Sequence, residues 1–253
     1  SLHDDISAEK DHPLVEANRC LQLLRAMFTR AELSGKISEG HYNPVKGIKF
    51  HPETPGTRYL DELEIKRLDN ALKAEPLHIK CMIRLFLLLG LRKTELLSMP
   101  WSAVKIGHPE GDHIDVSMTK GGRDLKLALS PAVVDIFNTL KEIQDLYEKT
   151  SNNDWVFPSR WYNYTQPVQD FKKHWIRLRK VANITDCTVH DLRRTCGSIM
   201  IQNGVPLEYV QRVLNHTDPE ITRVYARMSS DNQREALSTA SDVLNNIFGR
   251  LVA

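Results

Sequence analysis

The chain has 253 residues, 41% of them hydrophobic and 26% charged, the balance of an ordinary globular protein with enough length for one substantial core. Its formal net charge is only +2, from 34 Lys and Arg against 32 Asp and Glu, which excludes a polycation and confines any nucleic-acid function to local basic faces. Cys20, Cys81, Cys187 and Cys196 show no C-x-x-C pair, so neither a disulfide framework nor a zinc finger is indicated, and the thiols fit a reducing compartment.

Residues 13 to 34 place Leu21, Leu24, Met27 and Phe28 at helical spacing, a face that wants a partner. The proline- and glycine-rich stretch 40 to 57 reads as a linker, and a boundary is expected near residue 56. The first 56 residues are too few for an independent domain of this kind and read as the end of a larger one, followed by a second domain over 57–253. From 59 to 75, Leu60, Leu63, Leu68, Ala71 and Leu72 alternate with charges as an amphipathic helix, and 77 to 89 is a second, mostly buried one. Its apolar run, 81 to 91, is interrupted by Arg84 and is far shorter than the roughly 20 residues a membrane span needs.

The period then changes. Ile114, Val116 and Met118 alternate, as do Leu125, Leu127 and Leu129, on either side of Gly121-Gly122, the pattern of a hairpin with a tight turn. Residues 102 to 106 are read as a third strand. Helices resume over 131 to 149 and over 167 to 182, the latter with Phe171, Trp175, Leu178 and Ala182 as its inner stripe. The expected fold is mainly α with a small three-stranded antiparallel β-sheet.

Four separated clusters carry chemistry. In "GLRKTELL" (90 to 97), Gly90 ends a buried helix, which leaves Arg92 in a loop and Glu95 on the first turn of the next helix; a surface arginine in a turn would look the same. Lys120 stands at the tip of "TKGGR", where a lysine is commonly a solubilising charge. In "TVHDLRRTCGSIM" (188 to 200), His190 and Arg193 lie three apart and share a helical face, although a capped helix with a basic turn has the same spacing. In "LNHTDPEITRVYAR" (214 to 227), Asp218 is a good N-cap, Pro219 suits the first helical position and Glu220 the positive end of the dipole. His216 then precedes the break and Tyr225 follows it; nine residues along one continuous helix would put them on opposite faces, and the break lets them converge. A half-buried tyrosine with its hydroxyl in water is the plain alternative.

Taken together the clusters supply two arginines, a lysine, two histidines and a tyrosine with no acidic cluster suited to a metal. That set fits tyrosine attack on a phosphodiester: planar, permanently charged guanidiniums neutralise the non-bridging oxygens, a tyrosine of unperturbed pKa about 10 is activated by a base and positive surroundings, and a lysine protonates the departing 5′ oxygen.

In order and spacing these motifs resemble the tyrosine recombinases, or phage integrase family. "GLRKTE" is similar to its first arginine box, "TKGGRDLKLALSP" to its hairpin lysine, "HDLRRT" to its His-x-x-Arg box and "LNHTDPEITRVY" to its Leu-x-His box with the nucleophile nine residues on. The resemblance runs from about Arg58 to Tyr225 and implies the catalytic-domain fold of DNA breaking and rejoining enzymes. It implies Tyr225 as the nucleophile forming a 3′-phosphotyrosine, Arg92 and Arg193 as the phosphate clamp, and Lys120 as general acid. His190 would be a base or proton shuttle, His216 a donor to the phosphate, and Glu95 a support that orients Arg92. Two departures stand out: Asn215 occupies the place where glycine is commonest, and Ala226-Arg227 that of the histidine often found after the tyrosine.

The N-terminal stretch is similar to the end of the family's helical core-binding domain, particularly in integrases of genomic islands and temperate phages. The implied function is integration or excision of a mobile element with no metal or other cofactor, in the cytoplasm of a bacterium and on its nucleoid. Implied partners are double-stranded DNA at attachment sites, a homo-tetramer formed through the C-terminal helix 231–251 with Leu237, Ala240, Leu244, Ile247 and Leu251 as its stripe, and accessory DNA-bending proteins. Two other readings share the residues: a nicking-closing enzyme of the type IB topoisomerase sort, and a DNA-binding regulator that leaves the tyrosine unused.

Overall fold

The computed structural model describes residues 13–38, 40, 42–53, 56–116 and 125–215. They form two compact units, one within Ser1–Gly56 and the other within Thr57–Ala253.

The first unit is built on α1 (Pro13–Leu33). Ala17, Asn18 and Leu21 are its buried positions, whereas Met27 is 58% exposed, so the inner face is shorter than the apolar pattern suggests. The stretch read as a linker is bound back on this helix. Asn18 Nδ2 donates to His51 O at 2.9 Å and Glu53 Oε1 at 2.7 Å while its Oδ1 accepts from His51 N at 2.8 Å, and the Arg25 guanidinium lies 4.5 Å from the Phe50 ring centroid. Proline content indicates irregular backbone; it says nothing about whether side chains pin that backbone down.

The second unit opens with α2 (Glu62–Leu72), α3 (Leu77–Leu89) and the short α4 (Lys93–Leu97). A three-stranded antiparallel sheet follows, in the order β1 (Val104–Lys105), β2 (His113–Val116), β3 (Leu125–Ala128). Its register pairs Val104 with Ile114 and Ile114 with Leu127. Helices α5 (Pro131–Asp145), α6 (Lys172–Val181), α7 (Val189–Gln202) and α8 (Leu207–Val213) complete the described residues.

Helix α3 is the axis of this core. Ile79, Cys81, Met82, Ile83, Leu85, Phe86 and Leu89 are all buried along it, and α5 and α7 both pack on it. Burial of these seven residues, at about 1.5–3 kcal/mol per large side chain, explains the apolar run, while Arg84 and Leu88 stay exposed on the outer side. Phe86 stacks on Phe171 at 5.5 Å between ring centroids, and Phe171, Trp175, Leu178 and Ala182 are all buried as the spacing predicts. Leu63, expected on the inner face of α2, is instead 65% exposed. Five residues from Leu68 is about 500° of helical rotation, 140° off the face. Glu64 is buried in its place, gripped by both Nη atoms of Arg58 at 2.6 and 2.8 Å, and those bonds hold its carboxyl below the usual carboxylate range. Among the described residues no helix is long and apolar enough to cross a membrane.

Candidate active site

The site is assembled where the end of α3, the start of α4, the first turns of α7 and the end of α8 meet. Gly90 closes α3 in the left-handed conformation, φ +59°, which only glycine adopts without cost. It is also tightly approached: a Cβ there would lie 2.6 Å from Leu214 Cδ2 and 3.1 Å from Cys196 Sγ. The chain then swings out so that Arg92 occupies the N-cap of α4.

Glu95, three residues on, secures that arginine twice. Its Oε2 accepts from the Arg92 backbone N–H at 2.7 Å and its Oε1 from Arg92 Nη1 at 2.7 Å, the second being an ion pair in which the Arg92 side chain keeps 36% exposure. The other arm, Nη2, donates to Asn215 O at 3.0 Å. The fork is thus oriented by one carboxylate and one main-chain carbonyl.

Arg193 comes from the second turn of α7 and is 2% exposed, one of the largest fully buried side chains described. Nη1 donates to Gly90 O at 2.8 Å and Nη2 to Leu214 O. It therefore joins the exit of α3 to the exit of α8, satisfying carbonyls that helix termini otherwise leave without intrahelical donors. The two arginines grip consecutive carbonyls, Leu214 and Asn215, immediately before residue 216. Asn215 has φ +49°, a left-handed conformation in which asparagine is the most tolerated side chain after glycine. That accounts for asparagine at a position where the resemblance leads one to expect glycine.

Helix α7 is fixed at its start by Asp191, 2% exposed. Asp191 Oδ2 accepts from the Thr188 backbone N–H at 2.7 Å and from Thr188 Oγ1 at 2.7 Å, and Oδ1 accepts from Arg194 Nη1. One turn on, Thr195 Oγ1 donates to Asp191 O at 2.7 Å and accepts from Leu60 N at 2.9 Å. The D-x-x-R-T spacing of "DLRRT" was a legible signal for this network that sequence reasoning passed over. His190 lies on the exposed side of the same turn. Desolvation by the surrounding protein, and after it the guanidiniums of Arg194 and Arg193, hold its imidazole below the usual histidine value, against a smaller opposing pull from Asp191. Near neutral pH it is an uncharged proton acceptor.

Cys196 is the nearby thiol, and burial pushes it up to about 11, so at neutral pH it is not a thiolate nucleophile. The structure brings together Arg92, Glu95, His190 and Arg193. Lys120, His216 and Tyr225 lie outside the described residues, as do the Gly121-Gly122 turn, the helix expected from Asp218 and the 231–251 stripe.

The model of the phage integrase family matches residues 58–232. The chain belongs to the phage integrase family. It is 28% identical over 223 residues to a tyrosine recombinase of Thermosipho africanus (strain TCF52B), covering 87% of this chain and 74% of the relative. It is 23% identical over 245 residues to the tyrosine recombinase XerA of Pyrococcus furiosus (strain ATCC 43587 / DSM 3638 / JCM 8422 / Vc1), covering 95% and 79%. In fold, the chain matches the XerH site-specific recombinase in its post-cleavage complex with palindromic difH substrate at a TM-score of 0.69, with 16% identity and 89% and 67% coverage. A lambda integrase dimer bound to a COC′ core site matches at 0.64, with 18% identity and 83% and 74% coverage. The expected fold of a tyrosine recombinase catalytic domain is thereby established, and the enzyme class with it: this is a tyrosine site-specific recombinase.

Proposed function

We propose that this recombinase cuts and rejoins duplex DNA at attachment sites through a covalent 3′-phosphotyrosine on Tyr225, integrating or excising a mobile element. The observation that carries this reading is the convergence of Arg92 and Arg193 on the carbonyls of Asn215 and Leu214, one and two residues before His216 and within a dozen residues of Tyr225. Tyr225 Oη attacks phosphorus, the bond to the 5′ oxygen breaks, and that oxygen leaves with a proton from Lys120. His190 takes the phenolic proton or passes it on. Arg92, Arg193 and His216 stabilise the charge that accumulates on the non-bridging oxygens, and Glu95 keeps the Arg92 fork in register. Rejoining is the reverse step with a 5′ hydroxyl as attacker.

In this reading residues 1–56 are the C-terminal part of a core-binding domain plus linker, 57–253 the catalytic domain, and the working form a tetramer on DNA in the bacterial nucleoid, built through 231–251 with help from DNA-bending proteins. The test uses a nicked DNA duplex carrying the sequence that flanks the gene. Wild-type protein forms a detergent-resistant adduct and Tyr225→Phe binds the duplex equally but forms none. An adduct from Tyr225→Phe removes the assigned nucleophile; specific binding without any wild-type adduct leaves a DNA-binding regulator.

A further inference from the structure

The loop between β1 and β2 gathers two histidines and a glutamate that the strand-cleavage chemistry does not use. His108, Glu110 and His113 each offer one ligand atom, and these atoms lie within 4.8 Å of one another. The rings of His108 and His113 meet edge to face at 5.0 Å between centroids. Left-handed glycines at Gly107 (φ +69°) and Gly111 (φ +88°), together with the Gly107 N–H donating to Asp112 Oδ1 at 2.7 Å, fold the loop so that residues 108 and 113 face each other.

The protonation pattern points the same way. His113 Nδ1 stands 2.8 Å from Gly111 O. A carbonyl only accepts, so Nδ1 carries the hydrogen and Nε2 keeps its lone pair, the arrangement by which a main-chain carbonyl fixes a metal-binding imidazole. His113 is 6% exposed, so its ring is held by packing. Asp115 Oδ1 lies 3.7 Å from that Nε2, a further carboxylate beside the cluster. On His108, Nδ1 accepts from the Glu110 N–H at 3.2 Å, long enough for a cation to replace it. Imidazole nitrogens with a carboxylate select a borderline divalent ion.

We propose that His108, Glu110 and His113 form a zinc-class divalent cation site that clasps the β1–β2 loop to the start of β2. Lys126 competes for it, because its Nζ sits 2.5 Å from Glu110 Oε2 and draws on the same carboxylate charge as a cation would. The clasp is at the His113–Ala128 end of the β2–β3 ladder, away from the Val116–Leu125 end, so it braces the hairpin from that side.

The test is calorimetric titration of the metal-stripped chain with zinc chloride at pH 7.5. One equivalent binds, His108→Ala and Glu110→Gln each weaken binding roughly tenfold or more, and Lys126→Ala strengthens it. Failure to take up zinc, or uptake that His108→Ala and Glu110→Gln leave unchanged, overturns the proposal. Both substitutions are at exposed positions, so loss of binding is not loss of the fold.

Discussion

Arg92 and Arg193 grip neighbouring carbonyls, yet the regions that present them are built differently. At the α3–α4 corner, Arg92 is partly open to solvent and held by Glu95, a carboxylate whose removal changes the charge beside the fork. In α7, Arg193 is sealed in and bonded to two main-chain carbonyls from separate helices. The first region orients a charge; the second makes a charge part of the architecture. A guanidinium can thus be preorganised by a dedicated partner or by the fold, and the two kinds fail in different ways.

The largest effect is expected at Arg193. Arg193→Ala strands two buried carbonyls at about 1–3 kcal/mol each, so the urea midpoint drops well below wild type along with cleavage. Arg193→Lys satisfies fewer of these acceptors and loses the planar fork; near-normal cleavage by that protein would break the clamp assignment. Gly90→Ala comes next. Its methyl meets Leu214 Cδ2 at 2.6 Å and its φ of +59° is unfavourable, which together cost about 1–3 kcal/mol, read in thermal unfolding. Unchanged stability would show that the junction of α3 and α8 is loose.

Arg92→Lys sharpens the contrast from the other side. Stability stays within about 1 kcal/mol of wild type, because lysine keeps the positive charge beside Glu95 in a pair still partly open to solvent, while single-turnover cleavage slows by about 10²-fold or more, the scale for losing one preorganised donor. A large stability loss with little change in rate would reverse the roles assigned to the two regions. The smallest effect is at His190. The native protein holds its imidazole below the unfolded value of about 6.5, so between those two values the unfolded chain binds more protons and stability rises with pH. His190→Gln flattens that slope just below pH 6.5 in urea titrations; an identical slope would mean that the environment of the ring is not the one described.

How legible all this was depends on how far apart the interacting parts lie in the chain. Helix α3 and the inner stripe of α6 were readable because period and composition are local properties. The proximity of Arg92, Glu95, His190 and Arg193 was expected from the order and type of residues in "GLRKTE" and "HDLRRT". What is lost in sequence is the pairing across long separations: Arg193 with Gly90 O, Leu60 N with Thr195 Oγ1, and the refolding of 42–53 onto Asn18. Helix α8 passed unmarked because its seven residues, Leu207–Val213, span only about two turns and carry too little periodicity to register. The cluster of His108, Glu110 and His113 passed unmarked for another reason. Its spacing matches no familiar metal motif, and only the two left-handed glycines bring its ends together.

The assignment of Tyr225 as nucleophile is tested by mapping the covalent bond itself. The whole recombinase is incubated with supercoiled DNA carrying its flanking sequence in EDTA, quenched in detergent and digested, and the nucleotide-linked peptide is sequenced. The expected product is a peptide spanning Tyr225 with the tyrosine esterified to a 3′ phosphate. A linkage to any other residue, or a 5′-phosphate ester, would contradict it.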